Sequence, residues 1–479
     1  MEGFNRSRVL ETATMLSDLH GHRLAGSPGY LRASGWAVER MQSWGIANSR
    51  LEPWGRRGFG WEIERFSAEV TSPWYLNLHA IPKAWSTSTN GVVSGEPVLV
   101  EIRGEEDLER YRGQLRGSII MNGSVAPITD RWTVPAQRWT QAQLDSLAQL
   151  TDPGQPATYW DDASGWFAAL ETRERIETFY QQEGVTLVIE GSTNPVALRV
   201  TGHVSYTTEP RHRVPALVIS RSEFNQMARA IQAGQPVNLE VSVQTRFLQQ
   251  DSLGYNVIAE VRGADRRLRD QVVMLGGHFD SWHVGTGATD NAAGVAVAME
   301  AMRILRATGL QPRRTIRMAL WDGEEQEDYH GSMGYVRRHF GNPETMRLLP
   351  GHRTLSAYFN ADSGTGRIRG IYTQGNAAVI PVFQALLAPF DDLGATTVSI
   401  ANVGSTDHIP FNGVGLPGFN MIHDRLDYYS RTHHTSLDRA DYLVEEELQQ
   451  AAVVLASLIY HVANRAEMIP RGPRPAPRR

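Results

Sequence analysis

A chain of 479 residues is longer than one ordinary domain, and at roughly 150 residues per domain it predicts two to four units. With 41% hydrophobic residues and a formal net charge of −5 it is a globular protein, lacking the basic excess that follows nucleic acid or an anionic membrane. There is no cysteine, so disulfides, a thiolate nucleophile and Cys-ligated zinc are excluded, and Lys83, the only lysine, argues against Schiff-base chemistry.

No apolar run approaches the ~18 to 20 residues of a bilayer span, and the opening MEGFNRSRVL lacks the basic-then-apolar order of a signal peptide. In chain order, residues 8–46 alternate apolar and polar positions at helical spacing, with a break at Gly26-Ser27-Pro28-Gly29, which predicts two helices. After Pro82 short β-rich runs follow at 97–102, 118–121, 185–189, 216–219 and 237–243, with two amphipathic helical pieces between them. The irregular stretch 132–166 holds Trp132, Trp139, Trp160 and Trp166, read as packing against a neighbour.

From Tyr255 strands and helices alternate, the pattern of a mostly parallel sheet covered on both faces. Strands are predicted at 256–261, 272–275, 315–321, 356–360 and 418–422, and helices at 292–307, 331–339, 377–389 and 444–465. The Pro- and Arg-rich end, 470–479, cannot bury enough apolar surface to fold and reads as a loose tail.

In open parallel sheets ligands sit beyond the carboxyl ends of the strands. There, QVVMLGGHFDSWHVGTGATDNAAG presents His278, Asp280 and Asp290, RTIRMALWDGEEQ presents Glu324 and Glu325, LSAYFNADSG presents Asp362, and RTHHTSLD presents His433 and His434. Each is weak alone: a histidine after a strand is usually structural, a Glu-Glu pair is usually a solvated face, and Asp290 could cap a helix for ~1 kcal/mol. Their joint occurrence after strands of one α/β domain is what points to a site. Two histidines and three carboxylates suit zinc, and one carboxylate can bridge two ions. In such pairs the ions stand roughly 3.5 to 4 Å apart and activate a shared water, whose proton an unligated neighbouring glutamate can accept.

The order H-x-D, D-N-A-A-G, E-E, strand-end D and H-T/S-x-x-D resembles the di-zinc metallopeptidases that include secreted bacterial aminopeptidases and plasma glutamate carboxypeptidase. GSTDHIPFNGVGLPGF resembles the family's stretch before the last ligand, residues 95–245 its protease-associated insert, and HRLAGSPGY with WAVERMQSWG its N-terminal helices. The resemblance implies an α/β zinc exopeptidase fold, a mostly parallel central sheet flanked by helices, with an inserted β-rich protease-associated domain. Residues 1–92 would be the N-terminal helical part of the peptidase domain, 93–250 the insert, 251–468 the di-zinc domain and 469–479 the tail.

It further implies two zinc ions, one on His278, Asp290 and Asp362, the other on Asp290, Glu325 and His434, with Asp290 bridging. Glu324 would be the catalytic base and Asp280 would hold the His278 ring. Where small family members carry a tyrosine before the last ligand this chain has His433, so His433, Tyr428 or Tyr429 are the candidates for stabilising the oxyanion. His408 is a candidate for substrate contact, and Trp282 and His283 for the pocket wall. A His-His pair is closer to the plasma glutamate carboxypeptidase branch, which points to dipeptides and short peptides as partners. A homodimer and a secreted or periplasmic location are compatible with that branch. The alternatives are an N-acyl amino acid amidohydrolase and an inactive receptor or scaffold, the second disfavoured because every ligand position is present.

Overall fold

The computed structural model describes residues 1–127, 134–154, 159–200, 214–248, 253–325 and 329–476. Eight strands build the main sheet: β1 Ala47–Arg56, β2 Leu253–Val261, β3 Val272–His278, β4 Thr315–Trp321, β5 Leu355–Asn360, β6 Ile368–Tyr372, β7 Thr397–Ser399 and β8 Gly418–His423. Their order is β1-β2-β4-β3-β5-β8-β6-β7. The central β4, β3, β5 and β8 are parallel, whereas β2 runs against β4 and β6 against β8.

β3 is buried along its whole length, which is why it reads as an uninterrupted apolar run rather than an alternating one. It ends in two glycines for a steric reason. A Cβ on Gly276 would lie 1.7 Å from the Ala319 carbonyl oxygen, and one on Gly277 2.6 Å from that of Ala361. Any side chain would push β3 off its neighbours and displace His278, the next residue.

Helices cover both faces, as expected for the fold class. α1 Pro28–Ser43, α2 Ala293–Ala307 and α5 Glu445–Asn464 enclose one apolar layer with Val273, Leu275 and Phe359, and α4 Ile380–Leu387 extends it through Phe383 and Leu387. α3 His330–His339 lies on the other face, where Tyr335 and Val336 meet Trp321, Tyr358 and Phe411. The first seven residues of α2, Ala293–Met299, are all Ala, Gly, Val or Met, and the helix is buried from Ala293 to Leu305, so it can lie close to both the sheet and α5.

The first ninety residues differ from the helical reading. α1 is present and is capped by Ser27, whose hydroxyl accepts the Tyr30 N–H, but β1 and a long strand, Gly60–Ser72, follow it. β1 is a half-exposed edge strand with Arg, Glu, Pro and Gly in it, so neither helical nor strict two-residue periodicity stands out. Gly60–Ser72 pairs with Asn238–Leu248 in a four-stranded sheet with Leu76–Asn77 and Val93–Gly95, so the chain leaves the main sheet well before residue 93. The short β6 and β7 also escaped the sequence reading.

The rest of this second unit is itself α/β. Strands Pro97–Val100, Ile119–Asn122, Leu187–Gly191 and Ala216–Ile219 are mutually parallel, with Ala80–Pro82 antiparallel at the edge. Its connection to the main sheet runs through 134–154: Trp139 donates from its backbone N–H to Asp424 at 2.9 Å and from its indole to the His423 carbonyl at 2.8 Å. Trp139 therefore packs as expected, whereas Trp132 lies outside the described residues. Among the described residues no helix is long and apolar enough to cross a membrane.

Glu447, in the first turn of α5, ties these parts together. It accepts from Arg138 at 2.9 and 3.0 Å, from the Arg367 backbone N–H at 2.7 Å and from the Arg367 guanidinium at 2.9 Å. Burial alone would raise its carboxyl, but these arginines outweigh burial and hold it at about 2, below its ordinary 4.5. A depressed carboxyl stabilises the fold above its unfolded pKa and loses that contribution as pH falls through the folded value. Glu447→Gln should cost about 2 kcal/mol at neutral pH. Urea unfolding across pH should show this deficit shrinking from about pH 4.5 downward and closing near pH 2.

Candidate metal centre

Three parallel strands deliver the first candidate groups. β3 ends on His278, β4 leads into Glu324 and Glu325, and β5 leads into Asp362. Asp290 stands where the loop after β3 enters α2, and His433 and His434 close the loop that follows β8. The strand ends and the entry to α2 thus bring these side chains together.

Asp290 is the centre of it. Its Oδ1 lies 3.2 Å from His278 Nε2 and its Oδ2 3.4 Å from His434 Nε2, while Asp362 Oδ1 is 3.5 Å from His278 Nε2. Two groups of donors within 4.8 Å of one another result: His278, Asp290 and Asp362 in one, Asp290, His433 and His434 in the other. Glu325 Oε2 approaches His434 Nε2 to 2.8 Å. The expected first ligand set is therefore together. Around the second, His433 stands beside the expected residues, its Nε2 3.9 Å from Asp290 Oδ2 and its ring stacked on His434 at 3.7 Å.

The electrostatics fit a divalent cation. Asp290 Oδ2 and Glu325 Oε1 are buried and accept no hydrogen bond among the described residues, an expensive state for a carboxylate. Glu324 and Glu325 are pushed well above the carboxylate range, first by burial and then by neighbouring carboxylates, against the opposing pull of His278. Burial would lower His278, yet Asp362, Glu324 and Asp290 together raise it well above its ordinary value. His433 and His434 are pushed down to about 3 and about 4, chiefly by burial, leaving neutral rings with lone pairs to donate.

Asp280 differs from its expected part. His278 Nδ1 is 3.0 Å from the Asp280 carbonyl oxygen but 3.8 Å from its carboxylate. The carboxylate instead accepts the backbone N–H groups of Glu324 at 3.2 Å and Glu325 at 3.1 Å. One residue thereby orients the His278 ring with its backbone and fixes the two glutamates with its side chain.

Tyr428 is buried 4.9 Å from the His433 ring, and burial followed by the charges of Asp290 and Asp362 raises its phenol, so it stays a donor. Tyr429 is 62% exposed and lies at the rim. His408 is fully buried with Nε2 2.9 Å from the Val403 carbonyl, which suits a structural histidine. Trp282 packs edge-on to His434 at 6.2 Å, whereas His283 is turned to the Pro82 carbonyl at 2.8 Å and packs on Trp61.

Three supporting residues were not picked out from the sequence. Arg23 is fully buried, and its guanidinium donates to the carbonyls of Leu16, Gly21, Phe279, Thr286 and Gly287, at 2.7 to 3.5 Å. It thereby holds both ends of the loop between His278 and Asp290. Asp438, the last residue of the His-His motif, accepts the Thr289 N–H at 2.6 Å and its hydroxyl at 2.9 Å, which ties that loop to the His434 loop. Asp407 accepts the Ser332 hydroxyl at 2.6 Å, and burial, opposed by His278, pushes its carboxyl up to about 8. The signal for Asp438 lay in its motif. A lone arginine in HRLAGSPGY carries none.

Comparison with known proteins agrees with this geometry. Residues 256–459 match Peptidase family M28. Carboxypeptidase Q of Homo sapiens is 24% identical over 469 residues, 98% of this chain and 88% of that protein, and the Xenopus laevis protein is 27% identical over 98% and 89%. A peptidase M28 precursor from Shewanella amazonensis has the same fold, with a TM-score of 0.71 at 23% identity over 99% of this chain and 97% of that one. BSAP, a zinc aminopeptidase from Bacillus subtilis, reaches 0.62 at 17% identity over 97% of each chain.

Arg23 offers a test of how far the site depends on its support. Arg23→Lys keeps the charge but loses the planar fork that reaches five carbonyls. Thermal melts should show a loss of about 3 kcal/mol or more, and equilibrium dialysis a ~10- to 100-fold weaker affinity for divalent metal. Unchanged metal affinity would mean that the loop holds its shape without the clamp.

Proposed function

We propose that this chain, whose residues 256–459 match Peptidase family M28, is a zinc-dependent exopeptidase acting on dipeptides or on terminal residues of short peptides. The observation that carries the reading is the sharing of Asp290 between two donor groups, one oxygen toward His278 and the other toward His434. That arrangement suits a bridging carboxylate between two ions. Likeness to carboxypeptidase Q along nearly the whole chain favours small peptides with free termini over large substrates. The second unit is read as a protease-associated-like insert that shapes access to the site.

His278 and Asp362 would hold one ion with Asp290, and Glu325 and His434 the other, with His433 close enough to join or replace Glu325. Bound zinc supplies Lewis acidity, which makes water a better nucleophile and stabilises negative charge on oxygen. Glu324 takes the proton of the attacking water and hands it to the leaving amine. Burial, opposed by His278, raises its affinity for protons. Asp280 fixes where Glu324 stands by holding the backbone on either side of the Glu324–Glu325 peptide. Tyr428 and His433 are the groups placed to donate a hydrogen bond to the oxygen of the attacked carbonyl.

Strong chelation should abolish dipeptide hydrolysis and added zinc should restore it, with metal analysis reading about two ions per chain. Two chemically identical substitutions then separate the glutamates. Glu324→Gln should keep both ions and near-normal KM while kcat falls by roughly 10²- to 10⁴-fold. Glu325→Gln should instead weaken binding of one ion, with activity partly recovered at high zinc. Exchange of these two phenotypes would exchange the roles, and full activity in both variants would sink the mechanism.

A further inference from the structure

The C-terminal segment is not the loose tail that its composition predicts. The Ile469 N–H donates to the Ser356 hydroxyl at 3.1 Å, the Asn376 side chain donates to the Pro470 carbonyl at 2.8 Å, and the Arg471 guanidinium donates to the carbonyls of His352 and Leu355 at 2.6 and 3.1 Å. Beyond these bonds, Gly472, Pro473 and Pro475 form one wall of a cavity of about 160 Å³, with Thr373, Gln374 and Phe419 among the other walls. A space of that size admits a six-membered ring. It lies where β6 and β7 end and β8 begins, at the opposite end of β8 from the loop that bears His433 and His434.

The polar groups of this cavity are uncharged and partly unmatched. Thr373 is fully buried, and its hydroxyl and the Gln374 amide nitrogen have no hydrogen-bond partner among the described residues. Asn376, Asn402 and Asn412 also line the space, and each gives its amide nitrogen to backbone carbonyls, which leaves its oxygen as an acceptor. Gln374 is the sharper signal. It takes the second position of a tight turn closed by the Asn376 N–H on the Thr373 carbonyl at 3.1 Å, with a φ of 53°, where glycine or asparagine would sit with less strain. The turn itself does not call for glutamine, so the side chain accounts for its presence: Oε1 accepts the Val403 N–H at 3.0 Å, and Nε2 is left over. Among the described residues no charged side chain lines the cavity. Unmatched donors beside free acceptors, without charge, suit a ligand whose groups both donate and accept, as hydroxyls do and carboxylates or ammonium groups do not.

Val403 connects the cavity to the metal centre. The loop after β7 runs from Val403 to His408, whose Nε2 lies 2.9 Å from the Val403 carbonyl. Between them Thr406 accepts the Asn360 side-chain N–H at 2.8 Å and Asp407 accepts the Ser332 hydroxyl at 2.6 Å. Asn360 is the last residue of β5 and stands two residues before Asp362. A group bound to Gln374 therefore touches one end of a short loop whose other end is tied to the strand carrying Asp362.

We propose that this cavity is an effector site for a single sugar ring or cyclic polyol, held by Gln374 Nε2 and the Thr373 hydroxyl and enclosed by the C-terminal segment, and that its occupancy fixes the loop 403–408 and tightens metal binding. Neither half depends on peptide hydrolysis, so the exopeptidase reading can fail without it.

The test uses the full chain, with D-glucose and myo-inositol as probes. Saturation-transfer NMR should show at least one of them binding with a Kd of ~1 to 10 mM, the range open to a small neutral ligand. Gln374→Glu keeps the shape and the acceptor for Val403 but loses the donor, and should weaken binding at least ~10-fold, while Thr373→Val removes only the hydroxyl and should weaken it ~3- to 10-fold. Thermal melts matching wild type identify folded variants. Wild-type crystals soaked with the tighter probe should show it in the cavity. Equilibrium dialysis should show zinc bound ~5-fold more tightly at saturating probe, and by linkage the probe bound more tightly by the same factor in the zinc-loaded protein. If neither probe binds in the millimolar range, if Gln374→Glu and Thr373→Val bind as wild type does, or if soaked crystals hold ordered water only, the site is wrong. Binding that leaves zinc affinity unchanged overturns the link to the metal centre.

Discussion

Carboxylates packed into a space from which water is largely excluded are the constraint around which the rest of this molecule is arranged. Asp280, Asp290, Glu324, Glu325, Asp362, Asp407 and Asp438 converge from five separate stretches of chain. Like charges held this close repel strongly at low effective dielectric, and only bound cations, protons or hydrogen-bond donors make the arrangement tolerable. Each supporting feature answers that demand. Asp280 and Asp438 receive backbone N–H groups, Asp407 receives a hydroxyl, and Arg23 adds a positive charge close by. Arg23 is itself held down to about 10 by its burial, against the pull of Asp438, Asp280 and Asp290. Asp290 Oδ2, Glu325 Oε1 and Asp407 Oδ2 are left without a hydrogen-bond partner among the described residues, and the first two belong to the groups that would hold a metal.

The same residues show why a site can be read from sequence while its support cannot. His278, Asp290, Glu324, Glu325 and Asp362 follow apolar strands at short range, so strand prediction alone brings them to one edge of a sheet. Their grouping needed no knowledge of side-chain geometry. The two functions of Asp280, by contrast, depend on whether its backbone or its carboxylate faces His278, a matter of 3.0 against 3.8 Å. Arg23 lies 255 residues from His278 and acts only on backbone carbonyls, which leave no trace in residue type. Long, half-exposed strands such as β1 and Gly60–Ser72 were equally silent, because both carry charged residues that interrupt apolar alternation.

The second unit is joined to the rest of the chain by an apolar cluster, in which Trp61, Trp85, Leu198 and Val200 meet Leu24, Trp282 and Val284, and by polar contacts on either side of it. Trp139 and Arg138 reach Asp424 and Glu447 at one end, while Leu198, Arg199 and Val200 line the His434 loop at the other. These two attachments lie on either side of the loop after β8, so the loop bearing His433 and His434 is gripped by both units. A metal centre gripped in this way gains rigidity from the second unit even where that unit offers no ligand.

The position of β8 in the sheet has a consequence for biosynthesis. This strand, Gly418–His423, sits between β5 and β6, both of which precede it in the chain, and the last histidines follow it. Until residue 438 has left the ribosome the sheet has a gap at its centre, and the loop carrying Asp290 lacks its anchor in Asp438. A nascent chain can therefore form its second unit early, but it cannot assemble a working site while it is still being made.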